Sequence, residues 1–220
     1  MNLISAHIPA LWLWLLWPLA GLAFYGIWRQ ARWRMLADRD NLNVFAAACI
    51  VVLMLWSIKA GIRPGLDFHL LGATVLTLMF GPWFALFGIG LVLAVVTLFN
   101  GQFAAYPANL LIMAALPIGL SWAIYRVVDR KLPNHLFIYV FLNGFFGSAL
   151  AVSAVGLAST SFDALAGAYP LNYLLENYLP FYLLMAWSEA FATGMLITIL
   201  VVYKPEWVST FDDRRYLHGK

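Results

Sequence analysis

Apolar residues run through this chain in long blocks, and polar residues are confined to the short stretches between them. A block of about 20 apolar residues is what a helix needs to cross the hydrocarbon core of a bilayer. Seven blocks can be marked, at about 10–28, 43–61, 68–81, 83–99, 107–125, 136–159 and 178–203. Gly81-Pro82-Trp83 separates the third from the fourth, because proline cannot continue a helical ladder and glycine accepts unusual dihedrals. The pair Asn100-Gly101 closes the fourth. The first block is too long for the apolar part of a cleavable signal, and no Lys or Arg precedes it. The pattern therefore predicts an all-α, polytopic membrane helix bundle of about seven transmembrane helices, a single integral-membrane domain over residues 1–220.

Composition agrees. Of the 220 residues, 64% are hydrophobic and 10% charged, against roughly 25% charged in a soluble domain. Too few charges are present to build a water-facing surface, so most of the exterior must face lipid. Nothing points to nucleic acid as a partner. The single cysteine, Cys49, lies inside an apolar block, which excludes both disulfides and thiolate metal clusters.

Charge placement orients the chain. Eleven of the 13 Lys and Arg fall in three segments: Arg29 to Arg39, Arg126 to Lys131, and the C-terminal tail with Lys204, Arg214, Arg215 and Lys220. With seven spans these segments share one side, and the positive-inside bias makes it cytoplasmic. Lys59 and Arg63 fall on the other side. The expected topology is N-out/C-in, in the cell inner membrane. Tryptophans and tyrosines near the block ends read as an interfacial belt.

Against this background a few residues could carry chemistry. Glu189 sits near the middle of the last block, where an ionisable group is expensive in lipid. It must be protonated or paired with a donor from another helix. A structural role at a helix interface lined by Ser188, Ala190, Ala192 and Gly194 competes with a functional one. His7 and His69 both lie at the outer face, with Asp67 two residues from His69, and imidazole is a common ligand of nickel, cobalt, copper and zinc. His135 and His218 lie at the inner face. Asn109 and Asn143 read as interhelical hydrogen-bonding groups. No motif for nucleophilic catalysis, zinc-dependent hydrolysis or phosphate cradling is present, so the chain is expected to be no enzyme and to carry no cofactor.

Read in order, the segments HIP before the first block, HLLGATVLTLMFGPW at 69–83, YPANLLIMAALPIGLSWAIYR at 106–126 and SEAFATGMLITIL at 188–200 resemble the cobalt/nickel-uptake permeases of energy-coupling-factor transporters, the CbiM-like substrate-binding components. The resemblance spans roughly residues 7–203. It implies capture of a divalent nickel or cobalt ion at the outer face, with a transmembrane coupling subunit and two cytoplasmic ATPases as partners. Position by position, His7 and His69 match the two metal-binding histidines of the family. Glu189 matches its final-helix glutamate, and Asn109 the asparagine of its Gly-Ala-Asn segment, with Pro107 where the glycine belongs. One departure stands out. In the family the first histidine directly follows the N-terminal methionine, and the metal takes the terminal amine and a backbone nitrogen as well as the imidazole. Here His7 follows six residues, and only cleavage after Ser5 would expose Ala6-His7 in that arrangement. The competing expectation is a membrane protein of the same fold that no longer binds metal and acts in assembly or interaction.

Overall fold

The computed structural model describes residues 2–216, so His218 and Lys220 of the tail lie outside the described residues. Among the described residues, six helices are long and apolar enough to cross a membrane. They are α1 (Ala10–Gln30), α2 (Arg39–Ser57), α4 (Pro82–Asn100), α5 (Phe103–Lys131), α6 (Leu136–Leu165) and α7 (Leu171–Tyr203). Between α2 and α4 lie a two-stranded antiparallel ribbon, β1 (Ala60–Gly61) with β2 (Asp67–Phe68), and the short helix α3 (Ala73–Phe80).

The third block is therefore not a spanning helix. Gly72 and Gly81 take left-handed φ values of 68° and 80° and confine the helix to eight residues, about 12 Å at 1.5 Å per residue. Residues 69–72 are not helical. Irregular backbone at membrane depth is tolerated only where protein covers it and satisfies its polar groups. Both conditions hold: every residue from Ala73 to Met79 is buried, and side chains from elsewhere in the chain bond the exposed backbone ends. The Glu189 carboxyl group accepts from the Leu71 and Gly72 N–H groups at one end, and at the other Ser209 N–H donates to the Met79 carbonyl while Thr210 donates its N–H and its hydroxyl to that of Leu78. The segment is thus tied at both ends to distant parts of the chain.

The remaining boundaries shift for local reasons. Proline at the first position starts α4, where its missing N–H costs nothing. Asp38 caps α2 by accepting from the Asp40 N–H at 3.0 Å. Helix α5 begins earlier than the apolar block and carries a π-helical stretch over Leu110–Ala115; α6 carries another over Tyr139–Phe146 and runs on to Leu165. Helix α7 starts at Leu171 and breaks at Tyr178 (φ −121°, ψ −56°) before continuing to Tyr203.

Helices α3 to α7 form the packed centre, with α6 and α7 in the most extensive contact. Helices α1 and α2 are peripheral, and α1 presents Leu11, Trp14, Leu15 and Leu22 outward, as expected of a helix solvated by lipid. Beyond α7 a turn at Pro205–Trp207 leads to the short helix α8 (Asp213–Tyr216). Val208, Phe211 and Tyr216 of this tail pack with Tyr125 of α5 and Tyr139 of α6 in a second hydrophobic cluster.

Candidate metal-binding site

His69 lies on the four-residue link between β2 and α3 and is 3% exposed. Its ring is held on one side by Trp56 of α2, with centroids 4.7 Å apart. Nδ1 stands 3.1 Å from the Leu70 carbonyl oxygen. A carbonyl only accepts, so the hydrogen bond places the proton on Nδ1 and leaves the lone pair on Nε2. This is the arrangement in which a backbone carbonyl orients an imidazole for metal binding through the other nitrogen.

Nε2 faces Asn2, whose amide Oδ1 is 3.3 Å away. Two lone pairs confronting each other are satisfied by a cation; without one, turning the amide brings its NH2 group to Nε2. Asn2 is brought there by the N-terminal segment, which is threaded into the bundle. Asn109 of α5 grips Leu3 at both backbone groups: its Oδ1 accepts from the Leu3 N–H at 2.8 Å, and its Nδ2 donates to the Leu3 carbonyl at 3.0 Å. Gln102 accepts from the Ser5 N–H at 2.7 Å. The Leu3 side chain is buried with Ile8, Ala105 and Ala108. Asn109 thus clamps the non-helical N-terminal segment rather than a neighbouring helix, and its grip fixes what stands beside His69.

Glu189 of α7 holds the link from below. Its two carboxylate oxygens accept from the N–H groups of Leu71 and Gly72, each at 2.8 Å. The donor from elsewhere that a buried glutamate requires is therefore backbone, not a side chain. Trp56 Nε1 donates to the Leu71 carbonyl at 3.2 Å, and Thr74 shares a 2.8 Å hydrogen bond with Ser121 of α5. Gly72 is the one residue type suited to this bend: its φ is left-handed, and a Cβ there would sit 3.0 Å from Val52 Cγ2.

Asp67 lies on β2, with its carboxylate 3.5 Å from Lys59 Nζ. It lines a polar cavity of about 250 Å³ together with Asn2, Lys59, Thr97, Gln102 and Asn109. His7 lies at the same end of the bundle in different company. It is packed edge-on against Tyr169 at 5.3 Å and beside Gly65. Its Nδ1 is buried without a hydrogen-bond partner, and desolvation lowers its pKa below the ordinary histidine value. Among the described residues no contact joins His7 to His69. The pairing of the two histidines, drawn from the string His-Ile-Pro, is not made; the residue that meets His69 is Asn2. The physical reason is the Asn109 clamp, which holds the buried Leu3 and so places Asn2 against the imidazole.

Residues 3–207 match the CbiM family, described as the cobalt uptake substrate-specific transmembrane region. The chain belongs to this family. No curated protein matches it. Among solved structures, a truncated transition metal transporter superposes with a TM-score of 0.76 at 20% identity, covering 92% of this chain and 99% of that one. A transition metal transporter follows at 0.74 and 20% identity, covering 91% and 92%. The CbiM-family chain is thus a multi-pass membrane protein with the fold of those two.

Three residues left little trace in the sequence, two of them at the site. Asn2 precedes the His-Ile-Pro string and carries no charge. Trp56 reads as one more interfacial tryptophan. Asp163, 1% exposed near the end of α6 with both side-chain oxygens unpartnered among the described residues, falls past the apolar block. An acid inside a membrane helix was the signal available for it.

Proposed function

We propose that this CbiM-family protein is the substrate-binding membrane component of an energy-coupling-factor uptake system for nickel or cobalt. It works in the inner membrane, N-out/C-in, with a transmembrane coupling subunit and cytoplasmic ATPases. The observation that carries the reading is His69: a buried imidazole with its Nδ1 proton tied to a carbonyl and its Nε2 lone pair turned toward the N-terminal segment, at the end of the bundle away from the basic loops. An ion bound there meets one imidazole nitrogen and the amide oxygen of Asn2. Imidazole favours late divalent transition metals over calcium or magnesium, which take oxygen ligands. Asn2 stands where the family resemblance places a histidine, so this donor set is poorer in nitrogen than the family's.

Calorimetric titration of the purified protein with Co2+ and Ni2+ tests the reading. The expected result is a dissociation constant of about 1 µM or tighter, near −8 kcal/mol, lost in His69→Ala. The absence of binding by the wild type would leave the second reading, a membrane assembly protein of the same fold. What favours that one is the single fact that, among the described residues, no second histidine meets His69.

A further inference from the structure

The inner end of α3 is held as deliberately as the outer end, and by residues that lie beyond the matched family region. Eight residues of helix leave carbonyls at the C-terminal end without intrahelical partners, and Gly81 turns the chain away at φ 80°. The tail supplies the missing donors. Ser209 N–H donates to the Met79 carbonyl at 2.9 Å, and Thr210 N–H donates to that of Leu78 at 3.3 Å. Thr210 Oγ1 donates to the same Leu78 oxygen at 2.7 Å. Because the hydroxyl hydrogen is spent there, Tyr139 O–H donates to Thr210 in the buried 2.6 Å contact between them. The tail is itself pinned. Val208, Phe211 and Tyr216 are buried against Tyr139 and Tyr125, and Arg215 pairs with Asp129 at 2.8 Å. Asp212, Arg214 and Arg215 remain exposed.

We infer that the tail segment 208–216 is a positioning element for the His69 link, acting through α3. The helix is short, buried over Ala73–Met79 and too stiff to absorb a displacement along its length. The end capped by Thr210 therefore sets the height of the end that carries Leu71, Gly72 and His69. This rests on the metal-binding reading only for its consequence, ion affinity; the mechanical link stands on the hydrogen bonds at the two ends. Thr210 and Tyr139 are then positioning residues that touch no ion.

Hydrogen exchange of the purified full chain, resolved residue by residue across Leu71 to Met79 by mass spectrometry with electron-transfer fragmentation, is the test. Thr210→Val should speed exchange of the Leu71 and Gly72 amides, on the far side of α3, by about tenfold or more, because local opening free energies govern protection. Tyr139→Phe should do so to a smaller degree, and Thr210→Ser should restore the wild-type rate. In a protein that binds Co2+, the dissociation constant should rise about tenfold in Thr210→Val, within the usual range of coupling between sites. Faster exchange confined to Leu78 and Met79, with Leu71 and Gly72 unchanged, would overturn the inference. Linked exchange in a protein that binds neither Co2+ nor Ni2+ would uphold the mechanical link and overturn the metal reading.

Discussion

At its N-terminal end α3 is met by a carboxyl group that accepts, and at its C-terminal end by neutral donors. Glu189 accepts from Leu71 and Gly72 where the helix begins, while Ser209 and Thr210 donate to Met79 and Leu78 where it finishes. Both choices follow the polarity of a helix, whose N-terminus attracts anions and whose C-terminus needs donors. The difference lies in what each fixation supports. A carboxylate accepting two N–H bonds in a buried place holds the backbone on which His69 stands. The hydroxyl and amide at the other end hold a face that reaches the polar tail. One end holds the link that bears His69, and the other ties the helix to the tail.

The comparison can be broken most sharply at the N-terminal end. Glu189→Ala leaves two buried N–H groups without acceptors and should cost about 3–5 kcal/mol, the range for removing a charged partner from a buried site. Glu189→Gln keeps one acceptor and should cost less than half of that. Denaturant unfolding in detergent gives both values, and a loss below about 0.5 kcal/mol in the alanine variant, within the noise of surface changes, would refute the anchoring role. Gly72→Ala comes next. It imposes a left-handed φ on alanine and presses on Val52, for an expected loss of about 1–3 kcal/mol.

At the neutral end the effects are smaller. Thr210→Val should lower stability by about 1–2 kcal/mol, and Tyr139→Phe by about 1 kcal/mol. The double variant should cost less than the sum of the two, because they share one hydrogen bond. Full additivity would show that the contact is not made. The smallest effect expected is that of His7, which belongs to neither end. Its folded pKa lies below the unfolded value of about 6.5 because burial disfavours the charged ring. Below that value the unfolded chain binds more protons, so stability falls as pH drops through about 6.5 and is fully present above it. Unfolding midpoints measured from pH 7.5 to 5.5 should fall less steeply in His7→Gln. An unchanged slope would assign the pH dependence to other groups.

How much of this the sequence discloses differs between the helices and the link. The long helices are legible as apolar blocks, since lipid rewards the side chains directly. The third block is equally apolar at Leu70, Leu71 and Val75 to Phe80, so hydropathy cannot tell a spanning helix from a buried half-helix. Gly72 is the one hint, and a lone glycine is ordinary in a membrane helix. Glu189 is legible as a costly charge, but its partners are backbone N–H groups more than 100 residues away and have no sequence signature. Asn109 was visible as an interhelical hydrogen-bonding residue; that it grips Leu3, and so decides which residue meets His69, depends on tertiary threading. The tail reads as a soluble end because Lys204, Arg214 and Arg215 dominate it, while Thr210 gains its role only where it meets α3.

On the function proposed, the ion is bound by His69 with Asn2, and not His7, at its side. X-ray absorption at the metal edge of the Co2+-loaded protein counts the imidazoles bound to the ion. The account predicts one, unchanged in His7→Ala and lost in His69→Ala. Two imidazoles, or a signal that survives His69→Ala, would contradict it.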